Sequence, residues 1–290
     1  MTEILFDLSG KIDQQKIEAL SLVKKAADSL NIPFFVVGAS ARDFILEHCY
    51  NIRSPRMTQD IDLGVEVATW EDFNRLSESL IAKGRFTSAR EQHRFQFGSV
   101  FIDIIPFGSI EDERGKISWP PEHQIFMSIG GFSEAFKNSV TLRLSSSPEL
   151  KIKVANLAGL ALMKIVSWKE NSQDRRKDAD DLLFIMQNYE EADNFARLFD
   201  HEQDLLKEEN FDTQVACIRL LGRDMAMIAD HDTLSTVRAI LDEETAEDSH
   251  YRLVVHMVRG TPDLDDKYEK VLFQVKKLRQ GFNDVRCDQQ

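Results

Sequence analysis

The sequence has little cysteine and lacks any long hydrophobic run. Its three cysteines, Cys49, Cys217 and Cys287, stand far apart among 290 residues, so they form neither a zinc-binding spacing nor a disulfide framework. No segment has the roughly 18 consecutive apolar residues that a membrane-spanning helix needs, and the N-terminus lacks the pattern of a secretory signal peptide. These absences predict a cytoplasmic protein without a membrane partner.

Positive charge is also scarce. The formal net charge at pH 7 is −13, which argues against a general nucleic-acid coat, because such proteins carry a basic surface. The sequence contains no P-loop, no G-x-G-x-x-G fingerprint, no G-x-S-x-G motif and no H-E-x-x-H motif. The common P-loop, dinucleotide-binding, serine-hydrolase and zinc-protease mechanisms are therefore not indicated.

Hydrophobic periodicity divides the chain into an α/β half and a helical half. Residues 108–122 read as a loop, and Ser145 to Pro148 read as a linker. We therefore expect an α/β domain over 1–148 and a helical domain over 149–290. The expected helices of the first half cover 11–30, 41–50 and 70–83, and the expected strands cover 32–37, 60–67, two runs within 93–107 that join at Gly98 and Ser99, and 139–145.

Two carboxylates stand two residues apart in the stretch MTQDIDLGV at 57–65. Side chains alternate along a strand, so Asp60 and Asp62 share one face while Ile61 and Leu63 share the other. Like charges on one strand face repel each other, and a divalent cation relieves the repulsion. Mg²⁺ is often held by carboxylates together with substrate phosphates, so the pair is a candidate Mg²⁺ site. The alternative is a solvated acidic edge strand.

A third carboxylate, Asp103, stands in the otherwise apolar stretch FIDIIPF. It shares a strand face with Phe101 and Ile105, and a charge in the middle of such a strand needs a reason. If this strand lies beside the D-x-D strand, three carboxylates converge. Such a set can hold two metal ions, which activate an attacking oxygen and stabilise a leaving phosphate.

Upstream of the D-x-D pair, the stretch VVGASARD predicts a strand, a tight turn at Gly38 and a helix that starts near Ser40. Backbone N–H groups at a helix N-terminus bind anions, and glycine lets a phosphate approach closely. Ser40 adds a hydroxyl that can donate to phosphate. A Gly-Ala-Ser turn alone is a weak signal, and the D-x-D pair on the next strand strengthens it.

Together, these motifs resemble the nucleotidyltransferase fold of the polymerase-β type. The closer resemblance is to the predicted bacterial nucleotidyltransferases grouped with AbiEii-type toxins. It covers residues 35–190 and continues through VFIDIIPFG, ISWPP, GFSEAF and LALMKIVSWKENSQDRRKDADDLLFI. The resemblance implies an α+β fold, in which a mixed β-sheet with flanking helices is followed by a helical domain.

The resemblance also implies roles for individual residues. Asp103 is the candidate base for the acceptor hydroxyl. Lys164 would contact nucleotide phosphate, and Asp178 or Asp181 would position Lys164 or assist the acceptor. The chain departs from the common pattern in two ways, because its turn is Gly-Ala-Ser and the segment between turn and D-x-D pair is longer. The implied metal-binding and catalytic residues are Asp60, Asp62 and Asp103, and the implied nucleotide-binding residues are Gly38, Ala39, Ser40, Arg42, Lys164 and Asp181.

The sequence thus predicts an enzyme that uses Mg²⁺, with two ions expected, to move a nucleoside monophosphate from an NTP such as ATP. The expected acceptors are an RNA such as tRNA, a protein or a small molecule, and the toxin resemblance implies an antitoxin protein as a partner. A CCA-adding enzyme is the weaker alternative in the same class, because its Arg-Arg-Asp-Phe-Thr segment is absent. The alternative from another class is a non-catalytic nucleotide-binding or regulatory protein on the same fold.

Overall fold

The computed structural model of the chain describes residues 6–54, 56, 58–82, 84–112, 115–124, 126–170, 175–259 and 264–284. The chain forms two compact units, Met1–Asn156 and Leu157–Gln290. The first unit is built on a mixed sheet with flanking helices and the second is helical, so the expected α+β fold class is confirmed. Among the described residues, no helix is both long enough and apolar enough to cross a membrane.

The first unit contains an eight-stranded sheet, a separate two-stranded sheet and helices that flank them. The helix Gly38–Asp43 continues directly into a π-helical segment, Phe44–Cys49. The strands are β1 (Phe6–Asp7), β2 (Phe34–Val37), β3 (Asp60–Glu66), β4 (Thr87–Ser88), β5 (Arg94–Phe97), β6 (Val100–Phe107), β7 (Lys116–Ser118), β8 (Phe126–Ser128), β9 (Val140–Ser146) and β10 (Glu149–Val154). The helices are α1 (Gln14–Leu30), α2 (Gly38–Asp43), α3 (Trp70–Ala82) and α4 (Phe132–Lys137).

The strands of the large sheet lie in the order β1-β9-β10-β2-β3-β6-β5-β4. The pairs β10–β2 and β3–β6 run parallel, whereas β2–β3 and β5–β6 run antiparallel. All four residues of β2 are buried, which is typical of a central strand with both faces covered. β2, β3 and β6 therefore form the middle of the sheet, and these are the strands that carry the predicted site.

An aromatic cluster fixes the position of β3 in the sheet. Phe35 of β2 packs against Phe107, Phe132 and Phe136, with ring centroids 5.7, 6.4 and 5.3 Å away. Opposite Phe35 in the register stands Gly64 of β3, where a Cβ atom would lie only 2.4 Å from the Phe35 ring. A larger residue at position 64 would push the two strands apart, so Gly64 keeps β3 and its carboxylates in place.

Two helices of this unit, α1 and α3, begin at side chains that cap them. The Asp13 carboxylate accepts hydrogen bonds from the backbone N–H groups of Gln15 and Lys16 at the start of α1. Thr69 accepts from the N–H of Asp72 at the start of α3. Each cap satisfies an N–H group that has no partner inside the helix.

Two expectations about the end of the first unit differ from the structure. Residues 116–118, expected in a loop, pair with 126–128 as a small antiparallel sheet. Residues 145–148, expected as a linker, lie in the hairpin between β9 and β10. Every second residue of β10 is buried, and Ser and Pro mark a hairpin turn as readily as a linker. The units therefore divide after Asn156, whereas the expected boundary lay at 148.

The second unit is helical throughout its described residues. Helix α7 follows a π-helical turn, Glu190–Asn194. The helices are α5 (Leu157–Glu170), α6 (Arg176–Asn188), α7 (Phe195–Asp200), α8 (Gln203–Glu208), α9 (Thr213–Ile228), α10 (His231–Thr245), α11 (Arg252–Val258) and α12 (Leu264–Asp284).

Two glycines bring α9 and α12 into very close contact. A Cβ atom on Gly222 would lie 2.3 Å from the Leu278 carbonyl oxygen, and one on Gly281 would lie 1.8 Å from the Arg219 carbonyl oxygen. The obstacles are backbone atoms, which cannot move aside as a side chain can. The backbones of these two helices therefore pack directly against each other and form a rigid part of the second unit.

Candidate active site

The D-x-D strand and the strand that carries Asp103 lie side by side. β3 and β6 run parallel, and Asp62 is in register with Asp103. Ile61 and Ile102 are also in register and are fully buried, so they define the apolar face of both strands. Because side chains alternate along a strand, Asp60, Asp62 and Asp103 lie on the opposite face. The strand pairing on which the predicted convergence of carboxylates depended is therefore present.

The Gly38 turn lies against the same carboxylates. Val37, the last residue of β2, is in register with Asp62 on the antiparallel neighbour β3. Gly38 follows with a φ of +64°, and a Cβ atom added to it would lie 2.0 Å from Oδ2 of Asp62. Glycine suits both the left-handed backbone and the close approach. The turn and the Asp62 carboxylate are thus in direct contact.

Arg94, which the sequence analysis did not select, lies between two of the three carboxylates. It opens β5 and is in register with Asp103. Its Nε donates to Oδ1 of Asp103 at 2.7 Å, and its Nη2 donates to Oδ2 of Asp103 at 2.6 Å and to Oδ2 of Asp60 at 3.2 Å. A two-pronged contact of this kind is among the stronger hydrogen-bonded ion pairs in proteins. One guanidinium nitrogen therefore joins the carboxylates of both strands.

The local charges keep the Arg94 guanidinium protonated. Its hydrogen bonds to Asp103 outweigh partial burial and, with the charges of Asp103 and Asp60, raise the pKa of Arg94 above its usual range. Its Cζ also lies 5.5 Å from the centroid of the Phe101 ring, a cation–π contact. The side chains of Arg94, Asp60 and Asp103 are 33%, 44% and 11% exposed. The cluster is thus open to solvent on the Asp60 side and closed around Asp103.

Two side chains of the predicted nucleotide site are engaged within the unit. Ser40 is buried, and its hydroxyl donates to the backbone carbonyl of Asp60 at 2.7 Å. Arg42 is also buried, and its Nη2 donates to Asp43 at 2.6 Å and to Ser54 at 2.7 Å. Both side chains hold the α2 segment against its neighbours, a role that the sequence analysis had not assigned to them.

The backbone of the turn remains accessible. Gly38 and Ala39 are half-buried, unlike Ser40 and Arg42. Anion binding at such a turn depends on backbone N–H groups, so it does not require either of the engaged side chains. The part of the predicted phosphate site that the structure leaves open is therefore the main chain at Gly38 and Ala39.

The remaining predicted residues form a buried ion cluster in the second unit. Nζ of Lys164 on α5 lies 2.7 Å from Oδ1 of Asp178 and 2.8 Å from Oδ2 of Asp181, both on α6. Burial alone would lower the pKa of Lys164, but the charges and hydrogen bonds of the two carboxylates reverse this effect and raise it. Both carboxylates hold the ammonium group, and nucleotide binding by Lys164 and Asp181 stays a prediction.

A signal for Arg94 was present in the sequence. A two-residue turn at Gly98 and Ser99 places equidistant residues of the two flanking strands opposite each other. Arg94 is the fourth residue before Gly98, and Asp103 is the fourth after Ser99, which is the pairing that the structure shows. The register of the predicted hairpin would therefore have identified the arginine as the partner of Asp103.

The donor set has the chemistry that Mg²⁺ requires. Asp60, Asp62 and Asp103 present carboxylate oxygens on one face of two adjacent strands, and oxygen ligands of this kind bind Mg²⁺. Within the described part of the chain, no three acidic, histidine or cysteine side chains are already arranged as a metal cage. The guanidinium of Arg94 nevertheless lies between two of the carboxylates, so the position accommodates positive charge. The residues fit a divalent cation, provided that Arg94 gives way.

Comparison with protein families agrees with this fold, and it places the chain among the nucleotidyltransferases. Residues 26–272 match the family described as "Nucleotidyl transferase AbiEii toxin, Type IV TA system". Because the match spans most of the 290 residues, the chain belongs to the AbiEii toxin family. The resemblance stated from the sequence motifs is thereby confirmed. No curated protein matches the chain significantly.

Several solved structures show weaker similarity. A solution structure of the antibiotic-resistance factor ANT(2'')-Ia is 13% identical, covers 69% of this chain and 98% of its own, and gives a TM-score of 0.36. A CCA-adding enzyme with ATP is 15% identical, with coverage of 90% and 66% and a TM-score of 0.31. The Thermotoga maritima CCA-adding enzyme complexed with tRNA is 16% identical, with coverage of 96% and 83% and a TM-score of 0.27. Because these scores are low, the family match alone carries the assignment.

Proposed function

We propose that the protein transfers a nucleoside monophosphate from an NTP to an acceptor in a Mg²⁺-dependent reaction. The observation that carries this proposal is the register of Asp62 with Asp103, beside Asp60 and the Gly38 turn, in a chain of the AbiEii family. Three carboxylates on the same face of two adjacent strands repel one another unless a cation lies among them. A bound metal–triphosphate complex would supply that cation and would place the phosphates near the turn.

The carboxylates and the Gly38 turn of the first unit have separate roles in this proposal. Asp60, Asp62 and Asp103 would hold Mg²⁺, which when bound would activate the attacking oxygen and stabilise the departing pyrophosphate. Asp103 is the most enclosed of the three, and it is the candidate base for the acceptor hydroxyl once Arg94 no longer holds both of its oxygens. The backbone at Gly38 and Ala39 would bind the triphosphate.

The proposal also includes residues of the second unit and a role for the protein in the cell. Lys164 and Asp181 are included as further nucleotide-binding residues because they match the later motifs of the family. The Type IV toxin–antitoxin description of the family supports a toxin that is opposed by an antitoxin. The acceptor belongs to one of three classes that an experiment must distinguish: an RNA such as tRNA, a protein or a small molecule.

The test is incubation of the purified protein with each α-³²P-labelled NTP, Mg²⁺ and a total cell extract, followed by separation into RNA, protein and small-molecule fractions. We expect label in RNA, in protein, or in a new small-molecule product that chromatography resolves from the NTP, and we expect Asp62→Asn to abolish it. Glu66→Gln is the matched control, because Glu66 stands exposed at the far end of the same strand and the same charge is removed. Equal labelling by wild type and Asp62→Asn would exclude this carboxylate set as the active site.

One observation favours the alternative of a non-catalytic nucleotide-binding protein. Arg94 already neutralises part of the carboxylate charge, so the site can persist without a metal. Calorimetry with each NTP in Mg²⁺ separates the two functions. Nucleotide binding without labelling of any fraction would support the non-catalytic alternative, whereas binding together with Asp62-dependent labelling would support the transferase.

A further inference from the structure

Arg94 occupies the position where the proposed function requires a divalent cation. Its Nη2 atom is within hydrogen-bonding distance of Oδ2 on both Asp103 and Asp60, at 2.6 and 3.2 Å. A metal that bridges these two carboxylates would compete for the same oxygens. Two cations so close together would also repel each other, so the guanidinium and a bridging metal cannot share this position.

The two contacts of Arg94 differ in strength. Asp103 is nearly enclosed and receives two short hydrogen bonds from the guanidinium, whereas Asp60 is 44% exposed and receives one longer bond. A charged contact that faces solvent is screened and weak, and an enclosed two-pronged contact is not. The link between Arg94 and Asp60 is therefore the one that opens first when a cation arrives.

The backbone of Arg94 is fixed while its side chain can move. Its carbonyl accepts from the N–H of Ala89 at 2.9 Å, its own N–H donates to the Glu91 carbonyl at 3.1 Å, and β5 is paired with β6. The guanidinium is one-third exposed and has a solvent-facing side. Rotation of the side chain can thus release the carboxylates without any change in the sheet.

We propose that Arg94 is an intrinsic counter-ion that holds Asp60 and Asp103 in the metal-free protein and is displaced when a divalent cation binds. Arg94 is a positioning residue: it keeps like-charged carboxylates converged, and it sets the affinity of the site for metal by competition. This inference rests on the proposed function, because it concerns the same carboxylates. It adds a competing cation within the chain, which the proposed function does not require.

The test measures Mn²⁺ binding, by electron paramagnetic resonance of free Mn²⁺, to wild type, Arg94→Met, Arg94→Lys and Asp103→Asn. Mn²⁺ has the same preference for oxygen ligands as Mg²⁺. Removal of a competing unit charge is expected to tighten Mn²⁺ binding by about tenfold or more in Arg94→Met. Arg94→Lys keeps the charge without the two-pronged contact and should fall between the two. Asp103→Asn should bind Mn²⁺ more weakly than wild type.

Two controls separate competition from general effects. Arg90→Met removes the same charge from the exposed turn before β5 and should leave Mn²⁺ affinity at the wild-type value. Thermal unfolding in EDTA and in Mn²⁺ gives a second measurement, and it also verifies that each variant folds. Arg94→Met should melt below wild type in EDTA, because its carboxylates lack a counter-ion, and should gain more than wild type when Mn²⁺ is added.

The outcomes are distinct. Tighter Mn²⁺ binding by Arg94→Met, with Arg90→Met unchanged, supports the proposal. Equal or weaker binding by Arg94→Met, with loss of binding in Asp103→Asn, overturns the role of Arg94 and leaves the carboxylates as a metal site. No Mn²⁺ binding by wild type or Arg94→Met overturns the metal site itself, and with it both this inference and the metal dependence of the proposed function.

Discussion

Each unit of this protein contains a cation held by carboxylates, and the two clusters are built differently. In the first unit, Arg94 joins Asp60 and Asp103 on one face of the sheet, where Asp60 is 44% exposed. In the second unit, Lys164 lies between Asp178 and Asp181, whose side chains are only 12% and 2% exposed. The first cluster is open on one side and can exchange its cation, whereas the second is closed and keeps it.

This difference in exposure predicts how strongly substitutions at each cluster affect the free energy of unfolding. A buried cation with two buried partners is strongly destabilising to break, because the remaining charges have no water to solvate them. A cluster that is open on one side loses less stability when its cation leaves, since solvent or a metal can replace the cation there. We therefore expect substitutions of the first cluster to change mainly binding and activity. We expect substitutions of the second to change the free energy of unfolding, in addition to the nucleotide binding proposed for Lys164 and Asp181.

The largest effect on stability is expected from Lys164→Met. The substitution removes the ammonium group from between the buried carboxylates of Asp178 and Asp181, and Asp178 keeps only a 3.7 Å contact with Arg175. This should lower the free energy of unfolding by about 3–5 kcal/mol. Urea unfolding can be followed by the fluorescence of Trp168 alone, in a background with Trp70 and Trp119 replaced by Phe. Lys177→Met, at an exposed position of α6, should change the free energy by less than about 0.5 kcal/mol. A similarly small loss in Lys164→Met would show that the second cluster is not closed.

Gly281→Ala tests the rigid packing of the second unit. An added Cβ atom would lie 1.8 Å from the Arg219 carbonyl oxygen, so α9 and α12 must separate, at a loss of about 1–3 kcal/mol. The same change in an unobstructed helix should stabilise it by about 1 kcal/mol, because alanine is the better helix former. The sign of the change in the free energy of unfolding, measured with urea, therefore distinguishes the two cases. A stabilised Gly281→Ala would contradict the close packing.

The strand features of the candidate site were predictable from local sequence. The alternation in DIDL and FIDI placed the three carboxylates on one face, and the apolar stretch before Gly38 predicted β2 and its turn. These predictions succeeded because side-chain alternation and turn chemistry are local properties. β10 was missed because the turn residues before it also suit a linker, and a short alternating strand gives little signal beside a long apolar helix.

Contacts across the sheet were less predictable. Ser40 and Arg42 were selected for phosphate, but their partners Asp60 and Ser54 lie on segments whose approach depends on the whole unit. Arg94 was overlooked because its role follows from hairpin register and not from a motif. A side chain of a suitable type at a suitable spacing can therefore make hydrogen bonds within the fold that no motif predicts. The partner of a site carboxylate can likewise lie in an ordinary hairpin, outside any motif.

Gly38→Ala tests a glycine that lies against a carboxylate of the candidate site, whereas Gly281 lies against the backbone of a neighbouring helix. The Cβ atom added at Gly38 would lie 2.0 Å from Oδ2 and 2.9 Å from Cβ of Asp62, so the left-handed backbone and this contact together should cost about 1–2 kcal/mol of stability. The displaced carboxylate should nevertheless weaken Mn²⁺ binding. Gly84→Ala is the matched control, because Gly84 has a φ of +63° and nothing within 4 Å of its added Cβ. Equal Mn²⁺ affinity in the two variants would remove Asp62 and its turn from the metal site.

The smallest expected effect concerns pH and the second unit. Nδ1 of His256 accepts a hydrogen bond from Nε1 of the buried Trp168 at 3.0 Å, and a proton on Nδ1 would break it. Burial, with the charges of Arg176, Arg259 and Arg252, lowers the pKa of His256 below its ordinary value of 6.5.

The unfolded chain therefore takes up the proton first as the pH falls. The contribution of His256 to stability is complete above pH 6.5 and is lost as the pH falls from there through the lower folded pKa. Because the ring is only partly buried, the loss should be about 0.5 kcal/mol. Unfolding measured by Trp168 fluorescence at a series of pH values should lose this dependence in His256→Gln and keep it in His250→Gln, at an exposed position. An unchanged dependence in His256→Gln would show that the closed character of the second unit does not extend to this pair.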